Sequence, residues 1–373
     1  MKQMKQIYTL RGIGVILIII FHWLYESQMS IIAKGPVAVD IFFVLSGFFI
    51  TRILLEGREK SESEGFTKLK VFKFFVLSRA LRIFPIYYLT ILFLYVFQHT
   101  TDTNIGSNFI YFLTYTSNFY FQDKQSWDGI TSHLWSLAVE EQFYLIWPFV
   151  VLLPPKKYLP YIFSLFILTG LLTQYFWART EYDITLPFTC FDALGLGALL
   201  SWITMFQQQH LKKAVWATGL LVAGCLAYFF GGKAITGVFP YAPEIFFAAI
   251  AGLVISYVVY VENLNKQQFF FILNNRFLIF IGKLCYGIYV YHNILPHYLM
   301  KIMDKFQLYS YLPSWVLKYF DIFFYSVNFI LLIFVSWLSW KYIEKPVLGL
   351  KKYFQKESPK NIPFKTVQKS AAA

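Results

Sequence analysis

A chain of 373 residues that is 57% hydrophobic and 21% aromatic, with only 14% charged, is not a soluble globular domain. Its net charge of +13 would suit a nucleic-acid binder, but the basic residues lie between long apolar runs, where polytopic membrane proteins keep their cytoplasmic loops. The three cysteines, Cys190, Cys225 and Cys285, have no paired spacing, which argues against a disulfide framework or a thiolate metal site.

Ten apolar stretches read as spanning helices, near residues 8–25, 36–55, 83–99, 134–153, 158–177, 187–205, 213–230, 243–261, 277–297 and 320–342. In lipid a helix satisfies its own backbone hydrogen bonds, so the expected fold is an all-α polytopic membrane protein. Residues 1–347 form one transmembrane domain. Residues 348–373 form a basic tail without a fold of its own, and the closing Ser-Ala-Ala-Ala is set aside as an addition.

The first stretch, RGIGVILIIIFHWLYE (11–26), imitates a signal peptide but lacks a small-x-small cleavage site, so it is read as an uncleaved span. It carries Arg11 and His22, roughly 16 Å apart along a helix axis. That is about half the hydrocarbon thickness. Ionisable groups at such depth are costly, which makes function the default hypothesis, although a lone histidine in a span is more often a packing hydrogen bonder. The second span, VAVDIFFVLSGFFITR, holds Asp40 near its start, where a helix cap explains it as well as chemistry does, and Arg52 at its end.

Next comes FTKLKVFKFFVLSRALR (66–82), basic and aromatic at helical spacing, expected as a separate amphipathic helix on the cytoplasmic surface. Arg79 and Arg82, three apart, share one face of it just ahead of the third span. A pair of guanidinium forks suits a phosphate or diphosphate. FIYFLTYTSNFYF (109–121) is too short to span and is expected to re-enter or lie at the interface.

In SHLWSLAVEEQFYLIWP, Glu140 and Glu141 point about 100° apart on one helix, so a single cavity should favour one of them. Ser136 and Tyr144 lie one turn either side of Glu140, a polar strip. Glu141 shares its face with Leu137 and Leu145, which reads as packing. Tyr291 and His292, in CYGIYVYHNILP, fall at a span end where aromatic belts are common.

With both termini inside, only Lys34, Lys124, Arg179, Lys233, Lys301, Lys305 and Lys318 of the 33 basic residues fall outside, the asymmetry expected of a protein with cytoplasmic termini and an even span number. This orientation sorts the buried polar groups by depth. Arg11, Arg52, Arg79 and Arg82 lie at the inner side, whereas His22, Asp40, Glu140, Glu141, Tyr291 and His292 lie deeper or towards the outside. A large anionic donor could bind from the cytoplasm while chemistry takes place further across the membrane.

Several of these stretches together resemble the acyltransferase-3 family of bacterial integral membrane O-acyltransferases. They are Arg11-x10-His22, VDIFFVLSGFFITR, the SRALR pair, LWSLAVEEQFYLIWP, FIGKLCYGIYVYHNILP and YIEKP (342–346), so the resemblance runs from about residue 7 to 347. Cys285 departs from it, standing where the family usually has serine. The resemblance implies an inner-membrane enzyme that moves an acyl group, usually acetyl, from cytoplasmic acyl-CoA to a hydroxyl of a glycan or glycolipid. No metal is implied. Some members carry a fused extracytoplasmic hydrolase-like domain, and none is expected here, since about thirty residues follow the tenth span.

On that reading the donor phosphates meet Arg79 and Arg82, with Arg11 or Arg52, and the pantetheine arm carries the thioester inward. The acceptor hydroxyl needs a base to take its proton as it attacks, and His22 is the natural choice, with Glu140 to orient it and Glu141 and Asp40 as further catalytic candidates. Tyr291 and His292 are expected to contact the acceptor. Direct transfer and an acyl-enzyme relay stay open. So does a proton-coupled glycolipid or polysaccharide transporter, which would also use intramembrane Glu and His but has no need of paired arginines.

Overall fold

The computed structural model describes residues 5–24, 37–178, 180–230, 242–263 and 272–355. Lys34, Arg179 and Lys233 of the outer count, and the tail beyond 355, lie outside them.

In chain order the helices are α1 (Lys5–Trp23), α2 (Val37–Glu64), α3 (Lys68–Val96), α4 (Phe109–Leu113), α5 (Ser117–Lys124), α6 (Leu134–Leu152), α7 (Leu159–Phe176) and α8 (Phe191–Phe206). They continue with α9 (Leu211–Phe230), α10 (Ala242–Asn263), α11 (Arg276–Tyr291), α12 (Ile294–Lys305), α13 (Ser314–Lys318), α14 (Phe320–Ser339), a π-helical turn (Trp340–Glu344), α15 (Lys345–Gly349) and α16 (Lys351–Gln355). The ten expected stretches are helical where described, with 277–297 divided between α11 and α12, and the described residues contain no strand.

Length and apolarity together give a smaller number. Among the described residues six helices are long and apolar enough to cross a membrane, or seven if α11 and α12, bent by 57° at their junction, form one broken span. The expected ten is not reached by that measure. In α6 the Glu140-Glu141-Gln142 triple dilutes the apolar run, and α10 offers only Ile245–Val261.

The expected surface helix at 66–82 is not a separate element. It is the first half of α3, which runs unbroken for 29 residues past Pro85. Thr67 caps its start by accepting the Lys70 N–H at 3.3 Å. Val71, Phe74, Phe75 and Ser78 are buried in protein, so this half packs against α2 and α6 as well as presenting its basic side chains. The segment 109–121 forms the two short helices α4 and α5, too short to cross. The far end of α2 is tied to the end of α6 by buried Arg58, which donates to the carbonyls of Val151 (2.8 Å) and Pro154 (2.7 Å) and pairs with Glu62.

Two helix crossings set the geometry of the interior. α1 lies along α11, and α2 along α8. Both depend on missing side chains. A Cβ on Gly282 would stand 1.9 Å from the carbonyl oxygen of Tyr8, and one on Gly197 would stand 2.0 Å from that of Val44. Small residues let spanning helices approach until backbone meets backbone, which is the main source of attraction between them in lipid. Gly282→Ala is therefore expected to force α1 away from α11 and to lower stability by about 1–3 kcal/mol, the usual cost of overpacking. The thermal midpoint of the detergent-purified variant checks this, and an unchanged midpoint would mean that the crossing tolerates more room than the geometry allows.

Candidate active site

α1, α2, α3, α6 and α11 converge on a cavity of about 90 Å³ whose polar lining comprises Arg11, Ser46, Arg79, Arg82, Ser136, Glu140, Tyr144, Cys285, Tyr286 and Tyr289. Phe42, Leu45, Phe49, Ile83 and Leu137 supply much of the apolar wall.

The three arginines come from two helices, α1 and α3. Arg11 begins the apolar part of α1, and Arg79 and Arg82 occupy one face of α3. None forms an ion pair among the described residues. Arg11 lies over the Phe49 ring (5.6 Å), and Arg79 over Phe75 (5.7 Å) and Tyr144 (6.0 Å). The Nε of Arg79 is buried without a hydrogen-bond partner. A guanidinium nitrogen shut away from water without a partner is costly, and an anion that bound here would relieve the cost. The residues present therefore fit the phosphates of a CoA donor.

Glu140 faces the same cavity from α6. The Ser46 hydroxyl donates to its Oε1 at 2.7 Å, and the Tyr144 hydroxyl donates to its Oε2 at 2.9 Å. Both oxygens accept, the arrangement that suits an ionised carboxylate. Glu141 does not line the cavity; it is buried, with Oε1 lacking a hydrogen-bond partner. The difference follows from the 100° step between successive helical residues.

His22 is not in the cavity wall but in a group of three histidines beside it. Its ring lies 4.8 Å from that of His292, edge to face, and the His292 ring lies 4.9 Å from that of His133. Tyr289 links the two places. It lines the cavity, and its ring stands 5.5 Å from those of both His133 and His292. The Tyr289 hydroxyl donates to the backbone carbonyl of His133 at 2.7 Å, and Ser136 donates to Tyr289 at 2.5 Å. No hydrogen bond joins Glu140 to His22. The Nδ1–H of His22 meets the Ile18 carbonyl at 2.9 Å instead.

Of the residues singled out in the sequence, Arg11, Arg79, Arg82 and Glu140 are thus brought to one cavity, with His22 and His292 adjoining it. Arg52 is elsewhere. It pairs with Glu56 at 2.8 Å and reaches Thr204 at 3.3 Å. Asp40 is buried in the first turn of α2, and Tyr291 bonds the hydroxyl of Ser339 at 3.0 Å. Sequence reading missed Ser46, His133 and Tyr289. The one-turn spacing of Tyr289 from His292 was the available signal; His133, at the start of α6, gave none until its neighbours were known.

Comparison with known proteins places this geometry in context. Residues 5–341 match the acyltransferase domain family. The peptidoglycan O-acetyltransferase OatA of Listeria monocytogenes is 29% identical over 321 residues, covering 78% of this chain and 49% of that protein. The O-acetyltransferase OatA of Staphylococcus aureus is 24% identical over 366 residues, covering 91% of this chain and 56% of that protein. The chain thus spans about half the length of these relatives. No solved structure matches. With nearly the whole chain matched, the protein belongs to the acyltransferase-3 family.

Proposed function

We propose that this protein is a multi-pass enzyme of the bacterial cytoplasmic membrane that moves an acetyl group from cytoplasmic acetyl-CoA to a hydroxyl of a cell-surface glycan. Peptidoglycan is the first acceptor to test, because the Listeria relative is a peptidoglycan O-acetyltransferase. The observation that carries the reading is the single cavity where three arginines without ion pairs meet a carboxylate.

Arg79, Arg82 and Arg11 hold the donor's phosphates at the cytoplasmic side. The pantetheine arm is thin enough for the cavity and extends the thioester past Glu140 towards Ser136 and Tyr289. The acceptor hydroxyl arrives from the His22 side. Nε2 of His22 takes its proton while the oxygen attacks the thioester carbon, and the C–S bond then breaks, releasing CoA as the thiolate, which is protonated in turn. Glu140, held by Ser46 and Tyr144, sets the charge balance of the cavity against the arginines. Asp40, Glu141 and Tyr291 lie outside the two reacting groups and serve the surrounding architecture.

Arg79→Ala and Arg82→Ala are each expected to remove a charge-assisted contact of about 1.5–3 kcal/mol. At ~1.4 kcal/mol per decade this weakens CoA binding roughly 10- to 150-fold. Arg52→Ala should bind as the parent does, because Arg52 is already paired with Glu56. Thermal stabilisation of the purified protein by CoA measures all three. Parental affinity in both Arg79→Ala and Arg82→Ala would remove the donor from this cavity.

A further inference from the structure

We infer that His292 acts on His22 rather than on the acceptor, fixing the ring that carries the base, and that His133 in turn holds His292 in place. This rests on the reading of His22 as the base.

The tautomers follow from which partners can only accept. His22 Nδ1 faces the Ile18 carbonyl at 2.9 Å, so Nδ1 carries the hydrogen and Nε2 keeps the lone pair. His292 Nδ1 faces the Tyr289 carbonyl at 2.6 Å, so it too carries the hydrogen, leaving Nε2 of His292 as an acceptor. That Nε2 lies 3.3 Å from the Nδ1–H of His22. The two assignments agree: one N–H of His22 is shared between a carbonyl and a neutral imidazole. When Nε2 of His22 takes a proton, this N–H becomes a charge-assisted donor and both acceptors stabilise the imidazolium. A carboxylate has this task in a hydrolase triad, and none among the described residues bonds His22.

His292 has no capacity left for an acceptor. Its side chain is fully buried at 0% exposure, and both ring nitrogens are engaged. Its backbone carbonyl accepts the indole N–H of Trp23, the residue after His22, at 2.8 Å, a second tie from α1.

The placement of His292 needs support, because it sits where α11 gives way to α12 across a 57° bend. His133 supplies it from α6. Its Nε2–H donates to the Val290 carbonyl at 3.2 Å, its Nδ1 accepts from the Asn293 amide at 3.4 Å, and its own carbonyl accepts the Tyr289 hydroxyl. Residues 289, 290 and 293 are thereby all fastened to one residue, and His292 lies among them.

Two substitutions separate the roles. Asparagine at 292 can still reach the Tyr289 carbonyl but falls short of His22, whereas the glutamine oxygen can stand near the position of Nε2. With acetyl-CoA and a soluble N-acetylglucosamine oligomer as acceptor, His292→Asn is expected to lower kcat on the order of 10²-fold, the usual cost of a misplaced reacting group, with the acceptor KM unchanged. His292→Gln should recover most of that loss. A raised acceptor KM with parental kcat in His292→Asn would make His292 an acceptor contact and overturn the inference. Equal loss in both variants would also overturn it, since the shared hydrogen bond would then not matter. His22→Ala, run alongside, isolates the parent reading: an active His22→Ala removes the base itself, whereas an inactive one beside a fully active His292→Asn removes only the role given to His292.

Discussion

Replacing His22 by alanine should abolish acyl transfer while leaving insertion and CoA binding intact. A positioned general base contributes roughly 10²–10⁴-fold, and a loss of at least that size is expected because no other described group beside the cavity offers a free imidazole lone pair. His292 spends its lone pair on His22, and His133 spends its own on Asn293. Binding should survive because His22 is not among the residues lining the arginine cavity. The close approach of α1 to α11 at Tyr8 and Gly282 lies on the opposite half of α1 and is kept, although the His22–His292 contact is lost. Single-turnover transfer by purified His22→Ala, with CoA-induced stabilisation measured on the same preparation, checks both halves. Turnover within a few-fold of the parent would exclude His22 as the base.

The second large effect is expected at Glu140, and not at Glu141. Glutamine keeps the size of the side chain and removes its charge. In Glu140→Gln the cavity keeps three arginines and loses the carboxylate lining it, and one of the two hydroxyl donors must turn away from the amide N–H₂. Removing a preorganised electrostatic group from an active site commonly costs about 10²–10³-fold in kcat, so activity should fall by two orders of magnitude or more. Glu141→Gln removes a carboxylate whose Oε1 already lacks a hydrogen-bond partner, and should cost far less. Parallel kcat measurements decide the matter. Equal losses would mean that the adjacent pair acts jointly, and an inactive Glu141→Gln beside an active Glu140→Gln would reverse the roles.

How much of this was legible in the sequence follows from the range of each interaction. The all-helical fold could be read because apolar runs are a local property, whereas the number of helices able to cross a membrane, six or seven among the described residues, could not. Arg79 and Arg82 could be paired because three residues bring them to one helical face. Glu140 could be preferred over Glu141 because Ser136 and Tyr144 mark its strip; the structure puts Glu140 in the cavity wall and leaves Glu141 out of it.

The limits are equally physical. The basic and aromatic pattern of 66–82 fits a helix on a lipid surface as well as one packed on protein. Only its neighbours α2 and α6 decide that it continues into α3. Arg52 was grouped with the other inner arginines by depth alone, although Glu56, one turn on, was visible as a partner. The histidine group could not be foreseen. His22 and His292 are 270 positions apart, and they meet because α1 packs along α11, with Gly282 against the carbonyl of Tyr8.

The central claim is that this chain carries acetyl from CoA to a glycan hydroxyl through His22. Its most direct test uses proteoliposomes supplied with acetyl-labelled acetyl-CoA and N-acetylglucosamine oligomers, counting label on the oligomer for the parent and for His22→Ala. The account predicts ester-linked label on the oligomer with the parent and background with His22→Ala. Equal labelling by both proteins, or no labelled acceptor from a parent that binds and is stabilised by CoA, would contradict it.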